Sequence, residues 1–309
     1  VFETEYHVNS VILKLHSNYF RRFFDSPDKP QRPEGTPFRY EYITVLDEDG
    51  TWALEASPEP QKGNEVIEEY LSNSYVEEAC FRYLLCAMYN QPYKFRFFEE
   101  IKVLTRIADF YCALPIVSGT LTSALMKSRI FEADALSFSD ACGDLELIIV
   151  AKKLRNAELF RGCFVHEVGK YQYKVNPETS DPEIQALILR EYNGICQKIM
   201  RAQRSSLQIL VTQEMANALW SDTEPTLSAQ FFRTLKCQVD VYATRFRGVP
   251  CARDPYLEEL KEALQDLMVN NLRLDHSGFG SGENGDDNYF LCANIEDDEM
   301  PWDVDEIDW

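Results

Sequence analysis

Apolar side chains return every three or four residues through most of this chain, and that periodicity restricts it to a largely helical fold. Val76, Cys80, Phe81, Leu84, Leu85 and Met88 form one such stripe, and Ile101, Leu104, Ala108, Tyr111 and Cys112 form a second that stops at Leu114-Pro115. Ser118 or Thr120 is read as the cap of a third helix running through Leu121 and Leu125. Leu145, Ile148, Ala151 and Leu154 mark another, followed closely by Leu159, Cys163 and Val168. Asp181-Pro182-Glu183 reads as an N-cap, a first-turn proline and a first-turn acid, opening a long helix with Ile184, Leu187, Ile188, Ile195 and Ile199 on its apolar side. A last amphipathic helix is expected over about 254–274.

The two-residue alternation of a strand is confined to one place. Tyr40, Tyr42, Thr44 and Leu46 alternate with Glu41, Ile43 and Val45; Asp49-Gly50 supplies a tight turn, and Trp52 and Leu54 resume the pattern. A hairpin over about 38–56 is therefore expected, carried between helices and flanked by loops. Residues 1–7 read as a truncated strand entering the fold.

Length and charge narrow the functional classes. A chain of 309 residues is enough for two cores. Its net charge of −20 opposes phosphate-backbone binding, so direct nucleic-acid recognition is not expected. Twelve of those charges fall after Arg273, the last basic residue, which leaves an ordinary mildly acidic body of −8 over residues 1–274. The glycines at 278, 280, 282 and 285 make the start of the terminal stretch read as a flexible spacer. Residues 275–309 are accordingly taken as an acidic flexible tail. No run approaches the length of a membrane span and no leader is recognisable, so neither membrane association nor secretion is expected. Nine cysteines without a CxxC pair suit reduced thiols in the cytoplasm or nucleus.

Residues able to carry chemistry are scattered. His7, His16, His166 and His276 have no spacing that would place two imidazoles on one helical turn. Asp47-Glu48-Asp49-Gly50 has its glycine at the wrong position for a calcium loop, and Gly278-Phe279-Gly280-Ser281-Gly282 lacks the strand and helix of a phosphate cradle. Cys163 and His166, one helical turn apart, are an example of a nucleophile and base that could pair, and nothing in the sequence singles out one pair. No catalytic, metal or cofactor residue is assigned. Leu257, Leu260, Leu264 and Leu267 have the spacing of an export signal, and a packed helix gives the same spacing. The tail alternates acids with Trp302, Ile307 and Trp309, which are the candidate partner-binding residues; a docking element and a solubilising segment both fit this composition.

The N-terminal third resembles a known family. His7-Val8-Asn9-Ser10-Val11-Ile12-Leu13, then Ser17-Asn18-Tyr19-Phe20 and Phe23-Phe24, is similar to the BTB/POZ pattern: a strand feeding a histidine, a short helix ending in leucine, and a Ser-x-Tyr-Phe step into the next helix. Residues 79–89, ending in Leu85 and Tyr89 and followed by Tyr93, resemble that domain's helix and its "Leu-Tyr, then Tyr" turn. Leu104, Ala108, Asp109 and Tyr111 follow the family's next helix. The resemblance is strongest to filamentous-fungal BTB proteins with an inserted hairpin, here Glu41-Tyr42 and Asp49-Gly50-Thr51-Trp52, and a helical region with a Lys-Leu-Arg-Asn motif, here Lys153 to Asn156.

This resemblance implies a mainly α protein with a small β component: a BTB/POZ-like α/β domain over 1–130, its first strand expected to be missing, then a helical domain over 131–274 and the acidic tail over 275–309. His7, Leu13, Ser17, Tyr19, Phe20, Leu85, Tyr89, Tyr93, Ala108 and Tyr111 would be its structural motif residues. The implied function is non-enzymatic protein binding, as a homodimer or as a substrate adaptor for a cullin-type ubiquitin ligase scaffold. The alternative is a transcriptional or chromatin-associated regulator acting through the acidic-aromatic tail.

Overall fold

The computed structural model describes residues 1–2, 4–26, 38–46, 51–56, 71–128, 130, 145–170, 181–210, 227–245, 255–274, 280–282 and 289–306. They form a mainly helical protein with a small two-stranded antiparallel sheet. The chain divides into two compact units, Val1–Ile130 and Phe131–Glu306.

In the first unit, α1 (Ser10–His16) starts where the Asn9 side chain accepts from the backbone N–H of Val11, and it ends with Lys14 and His16 in its last turn, where cations favour the helix dipole. Ser17 then interrupts the helix in an extended conformation, and its hydroxyl caps α2 (Asn18–Phe24) by accepting from Phe20 N–H. The hairpin pairs β1 (Tyr42–Leu46) with β2 (Trp52–Ala56), with Tyr42 opposite Ala56 and Leu46 opposite Trp52. Its turn at 47–50 lies outside the described residues. Alternation buries Trp52 and Leu54 and leaves Glu55 in water. The inward Trp52 ring meets Phe81 edge-on, and its indole N–H donates to Glu77 at 3.0 Å.

Three helices complete this unit: α3 (Leu71–Met88), α4 (Glu99–Phe110) and α5 (Leu114–Met126). α3 packs on α4 and α5, and Cys80, Leu84, Ile101, Leu104, Ala108, Val117, Leu121 and Leu125 form the sealed core between them. The expected cap at Ser118 or Thr120 is incorrect. The third helix begins at Leu114, with Pro115 in its first turn, because a residue lacking an N–H fits where that N–H would have no helical partner. Pro115 therefore opens the helix it was expected to precede.

The second unit is built around α7 (Ala157–Gly169), whose last eleven residues are all buried. α6 (Leu145–Lys153) packs on α7, which packs on α8 (Pro182–Leu210). α10 (Pro255–Leu267) lies along α8, and α9 (Ala229–Arg245) against α10. The start of α8 follows the expected chemistry: Asp181 accepts from the N–H groups of Glu183 and Ile184, and Lys152 pairs with Asp181 at 2.8 Å. Those bonds hold the Asp181 carboxyl below its ordinary range although burial opposes the shift. Leu257, Leu260, Leu264 and Leu267 are fully buried in this unit, so they serve as the seam of α10. No helix among the described residues is long and apolar enough to cross a membrane.

Candidate interaction surfaces

Three of the motif residues, Ser17, Tyr19 and Phe20, converge on a fourth, Tyr111. Phe20 stacks on its ring at 5.2 Å, Tyr19 meets it edge-on at 5.1 Å, and Phe81 does so at 5.8 Å. Ser17 donates from its hydroxyl to the Tyr111 carbonyl, joining the α1–α2 corner to the end of α4. Burial drives the Tyr111 phenol far above its usual range, so the ring stays neutral. Leu13, Leu85 and Ala108 are buried nearby in the same unit. Tyr93 stacks on Tyr83 at 5.6 Å and bonds Thr120 at 3.0 Å; burial raises its phenol to about 12 against the opposing effect of that bond. Tyr89 accepts from Asn9 N–H and so fixes the entry to α1. His7 stands apart from this cluster, exposed, paired with Glu5 at 2.6 Å and 4.5 Å from the Phe38 ring. These contacts are structural.

Two surface features adjoin the cluster. One is a cavity of about 750 Å³, floored by Leu13, Phe20, Phe24, Leu54 and Phe81 and edged by Glu5, Arg39 and Glu41. The other is the outer face of α1, where Val11 and Leu15, one turn apart, are 69% and 65% exposed, with Val8 exposed just before them. Sequence reading singled out the buried face of α1 and passed over this outer one. The usable signal was an apolar residue at both i and i+4 on the side opposite Leu13.

Over residues 289–306 the second unit departs from the expected free tail. Residues 289–306 are laid against the helices, with Phe290, Leu291, Cys292, Ala293, Ile295 and Met300 buried. Phe290 N–H donates to the Gly169 carbonyl, Asn271 N–H to the Leu291 carbonyl, and the Asn271 side-chain amide to Ala293. Lys198 Nζ donates to the Cys292 carbonyl at 3.0 Å and Arg161 Nε to that of Ile295 at 3.2 Å. Three of the acids that made the segment look solvated meet cations from separate parts of the unit. Asp297 pairs with Arg161, Glu299 with Arg190 at 2.9 Å, and Glu306 with Arg155 at 2.5 Å.

Of the three candidate partner-binding residues, Trp302 is partly buried and meets the Phe160 ring edge-on at 5.1 Å. Ile307 and Trp309 lie outside the described residues, as do 275–279 and 283–288. The glycine-rich spacer contains a tight fit where it is described. Gly282 has φ +80°, and a Cβ there would stand 2.9 Å from the backbone nitrogen of Gln230.

Cys163 and His166 are both sealed inside α7, and the His166 ring faces Tyr289 at 5.1 Å. That placement gives a substrate no access to the pair. No group of three metal-ligating side chains occurs among the described residues. Compared with family models, curated proteins and solved structures, the chain gives no match.

Proposed function

We propose that this protein is a non-enzymatic protein-interaction module of BTB/POZ type that self-associates through its first unit and acts as an adaptor, with a cullin-type ligase scaffold as one candidate partner. The observation that carries the reading is the outer face of α1. Val11 and Leu15 are apolar, adjacent on a helix and about two-thirds exposed, although Leu13 on the same helix already anchors it to the core. An exposed apolar stripe on an otherwise well-packed helix is a feature of association surfaces, because water gains entropy when it is covered. The family resemblance of residues 7–24 and 79–111 supports the same reading. So does the way their motif side chains serve packing and capping, leaving the outward positions available to a partner.

Sedimentation velocity tests it. The unmodified chain should sediment as a dimer at micromolar concentration, and Val11→Glu with Leu15→Glu should give a folded monomer by circular dichroism. A monomeric unmodified chain, or a dimer indifferent to both glutamates, would remove the basis for the reading.

A further inference from the structure

The strap over the second unit has two dissimilar halves. Residues 290–295 form an anchor: four of its side chains are fully buried apolar groups, and its backbone bonds to Gly169, Asn271, Lys198 and Arg161. Burying these side chains away from water makes this half part of the core. Residues 296–306 are a clip of another kind. Among the described residues its backbone–backbone bonds stay within the clip, with Glu299 N–H donating to Glu296, Met300 N–H to Asp297 and Glu306 N–H to Asp303. A capping box between Glu296 and Glu299 holds its single 3₁₀ turn.

Side-chain charge joins the clip to the unit at three points. Arg155 after α6, Arg161 in α7 and Arg190 in α8 receive Glu306, Asp297 and Glu299. The Asp297 side chain remains 70% exposed, and solvated pairs of this kind are weak and screened by salt. Met300 and the edge contact of Trp302 on Phe160 supply the apolar part. The clip thus rests on three guanidinium groups from separate parts of the unit and on the Phe160 ring. Guanidinium forks and an aromatic face suit an extended peptide carrying carboxylates and a tryptophan.

We propose that residues 296–306 are a displaceable clip over a cationic peptide-binding surface of the second unit, and that this surface accepts an acidic, tryptophan-bearing segment of another protein in the clip's place. The buried anchor tethers the clip, giving it an effective concentration of about millimolar, so an incoming peptide is disfavoured until the clip is loosened. The surface and the α1 face are in different units, and their tests are separate.

The probe is a fluorescein-labelled synthetic peptide with the sequence of residues 295–306, added to the full chain and followed by anisotropy. Glu299→Arg with Glu306→Arg, which sets the clip against Arg190 and Arg155, should raise affinity for the peptide about tenfold or more over the unmodified chain. Adding Arg155→Glu and Arg190→Glu to that loosened chain should abolish the gain. Equal binding by loosened and unmodified chains, or equal binding of a scrambled peptide of the same composition, would overturn the proposal. Hydrogen exchange on the unmodified chain provides a second measure. Raising salt from about 0.05 to about 0.5 M should accelerate exchange over 297–306 while 290–295 stays protected; uniform protection of both halves at high salt would overturn it equally.

Discussion

Ser17 shows how one hydroxyl can serve two elements. Its oxygen accepts from Phe20 N–H to start α2, and its proton goes to the Tyr111 carbonyl at the end of α4. Ser17→Ala removes an N-cap worth about 1 kcal/mol and leaves a buried carbonyl unpaired, which costs about 1–3 kcal/mol more. Urea unfolding followed by circular dichroism should show a loss of at least about 2 kcal/mol. A loss below about 0.5 kcal/mol would mean that neither bond matters. The Ser-x-Tyr-Phe step into α2 is visible in the sequence, whereas the bond to Tyr111 spans 94 positions and no local pattern announces it.

At the scale of elements, the strap is where sequence reading and structure part. Its density of acids and glycines resembles a solvated tail because composition averages over residues with opposite tasks. The apolar run from Phe290 to Ala293 was present in the sequence, but its groove is assembled from α7, α8 and α9. Gly169 gives a test whose sign is informative. A Cβ at this position would lie 2.5 Å from the Phe290 carbonyl oxygen, a backbone atom that cannot rotate away. Helix propensity alone would make Gly169→Ala stabilising by up to about 1 kcal/mol. With the anchor docked, the substitution should instead lower the thermal midpoint and raise hydrogen exchange at 289–293. A raised midpoint would place the anchor elsewhere.

On the scale of the whole molecule, thiol chemistry maps both units in one experiment. Cys112 and Cys237 are exposed, whereas Cys80, Cys163 and Cys292 are buried. Burial pushes the Cys80 thiol far above its ordinary range, with Glu100 and Glu77 adding to the shift, and burial also raises Cys292 despite the nearby Lys198. Iodoacetamide at pH 8, with modified sites mapped by mass spectrometry, should label Cys112 and Cys237 well before Cys80 and Cys292. Labelling of Cys80 as fast as Cys112 would contradict the packing of α3 against α4.

The sequence by itself determined the hairpin and most of the helices, though not α9, since the three-to-four-residue and two-residue periods are local consequences of side-chain direction. It also determined the N-cap at Asp181, where a short polar side chain meets free N–H groups within three residues. Only the tertiary structure decided the fate of the acidic terminus, whose carboxylates find Arg155, Arg161 and Arg190 more than a hundred positions away. Folding alone brings those charges within range. The outer face of α1 is the same kind of case: Val11 and Leu15 became a candidate surface once Leu13, Phe20 and Tyr111 had closed the core behind them.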